Sequence, residues 1–137
     1  MSIKVYAPGN LGGDAEFFEF PNEKDPERPH QLLRMRVYMD NLVPQADGSF
    51  KDVNGSWRTV ELWHASAKRW KEFYRKGMRV LVEGREVTEP VSDSDLGPRL
   101  FTKIVAKYVA ILPHRLESIV MAPKSTAQTA AQDADHP

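Results

Sequence analysis

The sequence predicts an all-β fold, a single small barrel, and three observations predict it. Apolar residues alternate with polar ones at a period of two over several short runs. Those runs are separated by Gly, Pro, Asn and Asp, the residues that make turns. Only one segment changes to helical spacing. At 137 residues, with 41% hydrophobic and 28% charged residues, the chain has material for one ordinary core. The expected organisation is one domain over residues 1–113 and an unstructured tail over 114–137.

Strands are predicted over 3–11, 16–20, 32–39, 58–65, 78–88 and 100–112. The first ends in Gly12-Gly13-Asp14 and the second in the Pro-rich stretch 21–29. The third leads into a long segment, 41–56, that carries Asp47-Gly48 and Asn54-Gly55 and reads as a flexible loop. Residues 66–76 break the pattern: Ser66 suits an N-cap, Gly77 suits a stop, and Trp70, Phe73 and Tyr74 fall on one helical face expected to pack inward. One short helix between strands 3 and 4 is the plug of a five-stranded OB-fold barrel. The last two strands are joined by the turn-forming stretch 92–98. Beyond Met121 the chain is rich in Ala, Ser, Thr and Gln and offers nothing to bury.

The formal net charge is zero, but it is unevenly spread. Residues 14–27 hold six acidic side chains against Lys24, and residues 66–85 hold seven basic ones against Glu72 and Glu83. A polyanion can meet a basic surface on such a neutral molecule, although a solvated helix face explains much of the basic run. There is no cysteine, which excludes disulfides, thiolate metal sites and thiol nucleophiles. The N-terminus lacks a signal-peptide core and no apolar run reaches membrane-spanning length, so a cytoplasmic protein with no membrane partner is expected. His30, His64, His114 and His136 have no metal-ligand spacing. The glycines near Gly9 lack the Lys-Ser/Thr of a phosphate loop. No metal or cofactor is implied, and no constellation supports an enzyme.

Alternation along the strands sorts the side chains by face. Over 32–40, Leu33, Met35, Val37 and Met39 share one face, while Arg34, Arg36 and Tyr38 share the other with Leu32. Over 57–65, Trp57 and Trp63 fall among the polar neighbours Thr59 and Glu61. Rings interleaved with arginines suit single-stranded nucleic acid, because every base offers a π-face and every phosphate a charge. Arg79, Arg85 and Lys103 occupy outward positions of the late strands and are further candidates for phosphate contact. The competing reading packs Trp57 and Trp63 in a core or a subunit contact.

The order of motifs then adds to these residues. Gly9-Asn10-Leu11-Gly12-Gly13-Asp14-Ala15-Glu16 resembles the first-strand signature of the bacterial single-stranded-DNA-binding protein family. Glu61-Leu62-Trp63-His64 is similar to its third-strand element, and residues 74–85 to its helix end and fourth strand. The resemblance covers residues 3–112 and implies an OB-fold that assembles into dimers or tetramers. It also implies wrapping of single-stranded DNA without reading sequence, in replication, repair or recombination, and so a nucleoid-associated protein, with RNA left open as a partner. Carried across, Trp63 matches a stacking tryptophan, Phe50 falls near a second stacking position and Phe101 near an aromatic of the last strand. A Phe-Gly element after Trp63 is missing, and Val91 stands where a hairpin aromatic is usual. The tip Asp133-Ala134-Asp135-His136-Pro137 lacks the acidic, Phe-terminated end through which relatives recruit replication enzymes. These departures imply a divergent member, such as one carried by a mobile element. They leave open a primosomal-type protein, or an assembly module with weak or no DNA binding.

Overall fold

The structure, a computed structural model, describes residues 3–93 and 97–124. Eight strands run through it: β1 (Ile3–Leu11), β2 (Glu16–Phe20), β3 (His30–Met39), β4 (Leu42–Pro44), β5 (Phe50–Asp52), β6 (Ser56–Trp63), β7 (Arg79–Asp93) and β8 (Gly97–Ile111). The main sheet has the order β1-β7-β8-β6-β3-β2, with β1 pairing to β3 as well. β1 and β2 lie end to end on the same edge of β3: Asn10 and Leu11 face Tyr38 and Val37, and Glu16 to Phe20 face Arg34 back to His30. They serve as one interrupted strand, and the sheet's two ends meet there. This is the five-stranded OB-fold that the alternating runs predict.

The inward residues of the main sheet supply the core. Leu33, Met35 and Val37 from β3, Val60 and Leu62 from β6, Val80 and Val82 from β7, and Ile104 and Val109 from β8 are buried together. Each such side chain contributes roughly 1.5–3 kcal/mol by leaving water. Arg58 and Glu86 form an ion pair on this same side of the sheet. Tyr74 is buried with the core and its Oη donates to the Val109 carbonyl at 2.8 Å, so its polar end is satisfied. Burial also pushes that phenol's pKa up from its ordinary value.

The predicted helix is shorter than its sequence pattern. α1 spans Ala67–Trp70 and continues as a 3-10 turn over Lys71–Phe73, and Tyr74 is already extended. Ser66 makes no side-chain cap; its carbonyl accepts from the Trp70 N–H at 2.9 Å. Trp70 and Tyr74 pack against the core, but Phe73 is exposed, so the expected three-residue stripe holds at two positions. The winding tightens to three residues per turn there, which swings Phe73 off the packed face. Gly77 ends no helix; with φ +88 it makes the turn into β7.

Two further segments differ from expectation. Residues 41–56 contain the β4–β5 hairpin rather than an open loop. β7 and β8 continue pairing as far as Asp93 and Gly97, past the predicted end at 88 and before the predicted start at 100, so much of 92–98 is strand. Residues 94–96 lie outside the described residues. Pro113–Arg115 forms one 3-10 turn and 116–124 has no regular structure; the rest of the expected unstructured tail, 125–137, lies outside the described residues.

The β7–β8 ladder slips register at Glu83 and Gly84. A methyl on Gly84 would collide with the Val105 carbonyl and lie 2.7 Å from the Ala106 Cα, both backbone atoms that cannot rotate away. Gly13 has nothing within 4 Å of that position. Gly84→Ala is therefore expected to lower stability by about 1–3 kcal/mol. Gly13→Ala is expected to stay within about 0.5 kcal/mol. Urea unfolding of the two variants checks this.

Candidate nucleic-acid interface

The pairing of β3 with β6 puts the sequence-predicted residues on one face. Leu32 stands opposite Trp63, Arg34 opposite Glu61, Arg36 opposite Thr59, and Tyr38 opposite Trp57. Trp57 and Trp63 are 51% and 41% exposed, so neither is a core residue of this chain. Phe101 and Lys103 of β8 extend the same face.

Two open grooves run over it and share Arg34. The larger, about 710 Å³, is lined by Phe20, Leu32, Trp63, Glu89, Phe101 and Lys103 among others. The smaller, about 390 Å³, lies between Gly12, Glu16, Arg36 and Trp57. Gly12 makes room for the indole: a methyl there would sit 2.6 Å from Trp57 Cη2. Arg36 lies over the same ring, 5.8 Å from its centroid, and donates to the Thr59 hydroxyl at 3.0 Å.

The sequence reading missed two rings of this face, Phe18 and Phe20. On β2 they pair with Leu32 and His30. The Phe20 ring lies 5.6 Å from Trp63, and the Arg34 guanidinium sits 4.6 Å over Phe18. Leu32 is fully buried although it lies outside the main core, between Phe18 and Trp63 in the ladder. His30 meets Trp63 edge-on at 6.4 Å.

The floor of the larger groove is ionic. Glu61 is buried, with Lys103 Nζ 3.0 Å from Oε1 and Arg34 Nη2 3.4 Å from Oε2. The Lys103 ammonium also reaches Glu89 at 3.1 Å. Burial works against that ammonium, but its bonds to Glu61 and Glu89 outweigh the desolvation and raise its pKa above the ordinary lysine value. Lys103 is thus a cross-link between two carboxylates.

The other candidates lie elsewhere. Arg79 is half-buried and bonds both oxygens of Asp40, at 3.0 and 3.2 Å. Arg85 lines a separate groove with Lys4, Glu83 and Lys107. Phe50 is 64% exposed on β5 and lines neither main groove. Tyr38 backs Trp57, ring to ring at 5.3 Å and steeply inclined. Its hydroxyl donates to Asp52, whose other oxygen accepts from the Asn41 N–H at 2.8 Å. The β4–β5 hairpin is tied to the face through this carboxylate. Among the described residues no group of three or more His, Asp or Glu is placed to hold a metal ion. No described helix is long and apolar enough to cross a membrane.

Residues 3–112 match the single-strand binding protein family. No curated protein matches the sequence. Among solved structures, a small single-stranded DNA-binding protein from Streptomyces coelicolor superposes with a TM-score of 0.63 at 17% identity, over 84% of this chain and 98% of that one. A Plasmodium falciparum protein of the same kind, solved with single-stranded DNA, gives 0.60 at 17% identity, over 80% and 93%. A deletion mutant of the Thermus aquaticus single-stranded DNA binding protein gives 0.58 at 18% identity, over 82% of this chain and 51% of that one.

The Tyr38–Asp52 bond has a defined pH window. That bond, with the Asn41 N–H, holds the Asp52 pKa below its ordinary 3.8; the same bond is the main cause raising the Tyr38 phenol above 10.0. A depressed carboxylate contributes stability above its unfolded pKa and loses it as pH falls through the folded value. A raised phenol contributes below its unfolded pKa and loses it as pH rises through the folded value. The bond is therefore intact across the neutral range. Titrating ¹³Cζ-labelled tyrosine by NMR should find Tyr38 ionising above 10.0, and Asp52→Asn should bring it back toward that value. Identical titrations in the two proteins would remove the bond from the account.

Proposed function

The chain belongs to the single-strand binding protein family, and from that premise we propose that it binds single-stranded DNA without reading its sequence as a whole, and is not an enzyme. The reading rests on one observation: two grooves meet at Arg34 on a single face, with Phe20 and Trp63 at one end and Trp57 at the other. Trp57 and Trp63 are six residues apart on β6, so the rings span about 20 Å of strand at ~3.3 Å per residue. Trp63, Phe20, Phe101 and Trp57 are the stacking surfaces in this proposal. Arg34 and Arg36 meet phosphates between them, and Tyr38 holds Trp57. Phe50, Arg79 and Arg85 are assigned no base contact; Lys103 shapes the groove. Replication, repair and recombination are the processes such binding serves.

We also propose self-association. Residues 3–9 of β1 pair only with β7 among the described strands, and Tyr6 and Tyr108 are exposed on the outer face of β1, β7 and β8. An unpaired edge beside exposed rings favours a second copy of the chain. Sedimentation at several concentrations reads the state directly.

Titration with oligo-dT at low salt should quench the tryptophans, and Trp63→Ala should weaken binding by about 1–3 kcal/mol with the oligomer intact. Absence of quenching in folded protein would overturn the reading, and dissociation of the oligomer would make Trp63 an interface residue. Each phosphate contact on a single strand adds roughly 0.7 to the slope of log K against log salt, so Arg36→Ala should flatten that slope by about that amount.

A further inference from the structure

A groove that only had to hold a polyanion would offer cations to it. The larger groove is lined by Arg34, Arg99 and Lys103, yet two of these cations are held by carboxylates. Lys103 Nζ lies between Glu61 Oε1 at 3.0 Å and Glu89 Oε1 at 3.1 Å, and Arg34 is turned toward Glu61 Oε2 at 3.4 Å while covering Phe18. The formal charges of these four side chains cancel. Lys103, tied to both carboxylates, has little to give a phosphate, so a base entering beside it is recognised by other means.

The exposed acceptor is Glu89. Its side chain is 44% exposed, against 4% for Glu61. It stands directly across the β7–β8 ladder from Phe101, on the same face, where paired side chains begin about 5 Å apart. A base resting on Phe101 therefore brings its polar edge against Glu89. An ionised carboxylate accepts hydrogen bonds and donates none. An exocyclic amine satisfies it, whereas a carbonyl at the same place meets lone pairs with lone pairs. Cytosine carries an amine at position 4, and thymine and uracil carry an oxygen there.

We infer that this groove selects bases bearing an exocyclic amine, with Glu89 the specificity-determining acceptor at an otherwise sequence-tolerant site. The inference rests on the single-strand reading above and adds a base preference to it. The backbone still binds whatever the sequence; the preference acts at the one position along the strand that Phe101 and Glu89 share.

Short homopolymers of deoxycytidine and deoxyuridine test it, because the two bases share ring size and differ at position 4. Binding is measured by fluorescence anisotropy at mildly alkaline pH, where cytosine is unprotonated. The wild-type protein should hold the deoxycytidine strand about tenfold more tightly. Glu89→Gln, at an exposed position of β7, should bring the ratio close to one. If Glu89 only counters the charge of Lys103, the variant tightens on both strands by the same factor and the ratio stays put, which overturns the inference. Equal wild-type affinities, or a preference for deoxyuridine, overturn it too while leaving single-strand binding intact. Failure to bind either strand overturns both.

Discussion

The molecule depends on the register between β3 and β6. Side chains alternate along a strand, so one alignment decides two things together: Leu33, Met35 and Val37 meet Val60 and Leu62 inside, and Arg34, Arg36 and Tyr38 meet Glu61, Thr59 and Trp57 outside. A slip of one residue would send every one of these to the wrong side. Burial of five large apolar residues holds the alignment, at roughly 1.5–3 kcal/mol each. The outer face inherits its order from the core.

Glu61 is the point where that order is costly. A carboxylate out of water is stable only when paired, and Arg34 and Lys103 pair it from two strands. The three side chains join β3, β6 and β8 on the outer face as the apolar residues join them on the inner one. This accounts for an acid at the centre of the proposed interface: it fixes the Arg34 and Lys103 stems, and with them the walls beside Trp63 and Phe101.

Much of this face is legible in the sequence, because the alternation of Arg34, Arg36 and Tyr38 with Leu33, Met35 and Val37 is clean. β2 is harder. Glu16-Phe17-Phe18-Glu19-Phe20 carries phenylalanine on both faces, so no period of two separates Phe17, which packs on the core, from Phe18 and Phe20, which do not. The cations fail for another reason. Arg79 and Lys103 read as free charges locally, yet Asp40 and Glu61 reach them from about forty residues away in the chain. Pairing across a barrel leaves no local trace. The helix erred in the opposite way, since spacing alone cannot say where an α turn tightens and Phe73 swings out.

These pairings also account for a neutral chain on a binding face. Arg34, Arg79, Lys103 and Arg58 each meet a carboxylate. A protein with zero formal charge that ties these four cations has little net charge for long-range attraction. The proposed contact then relies on surfaces that work at short range, and the rings of the grooves are such surfaces. Four of them, Phe20, Trp57, Trp63 and Phe101, line grooves that Arg34 joins. Stacking at about 1–3 kcal/mol per base needs no net charge. In the proposed interface the charge network serves geometry and leaves much of the affinity to the aromatics, and the Tyr38–Asp52 bond and Gly12 have the same purpose at Trp57: to hold a large ring open to solvent in one orientation.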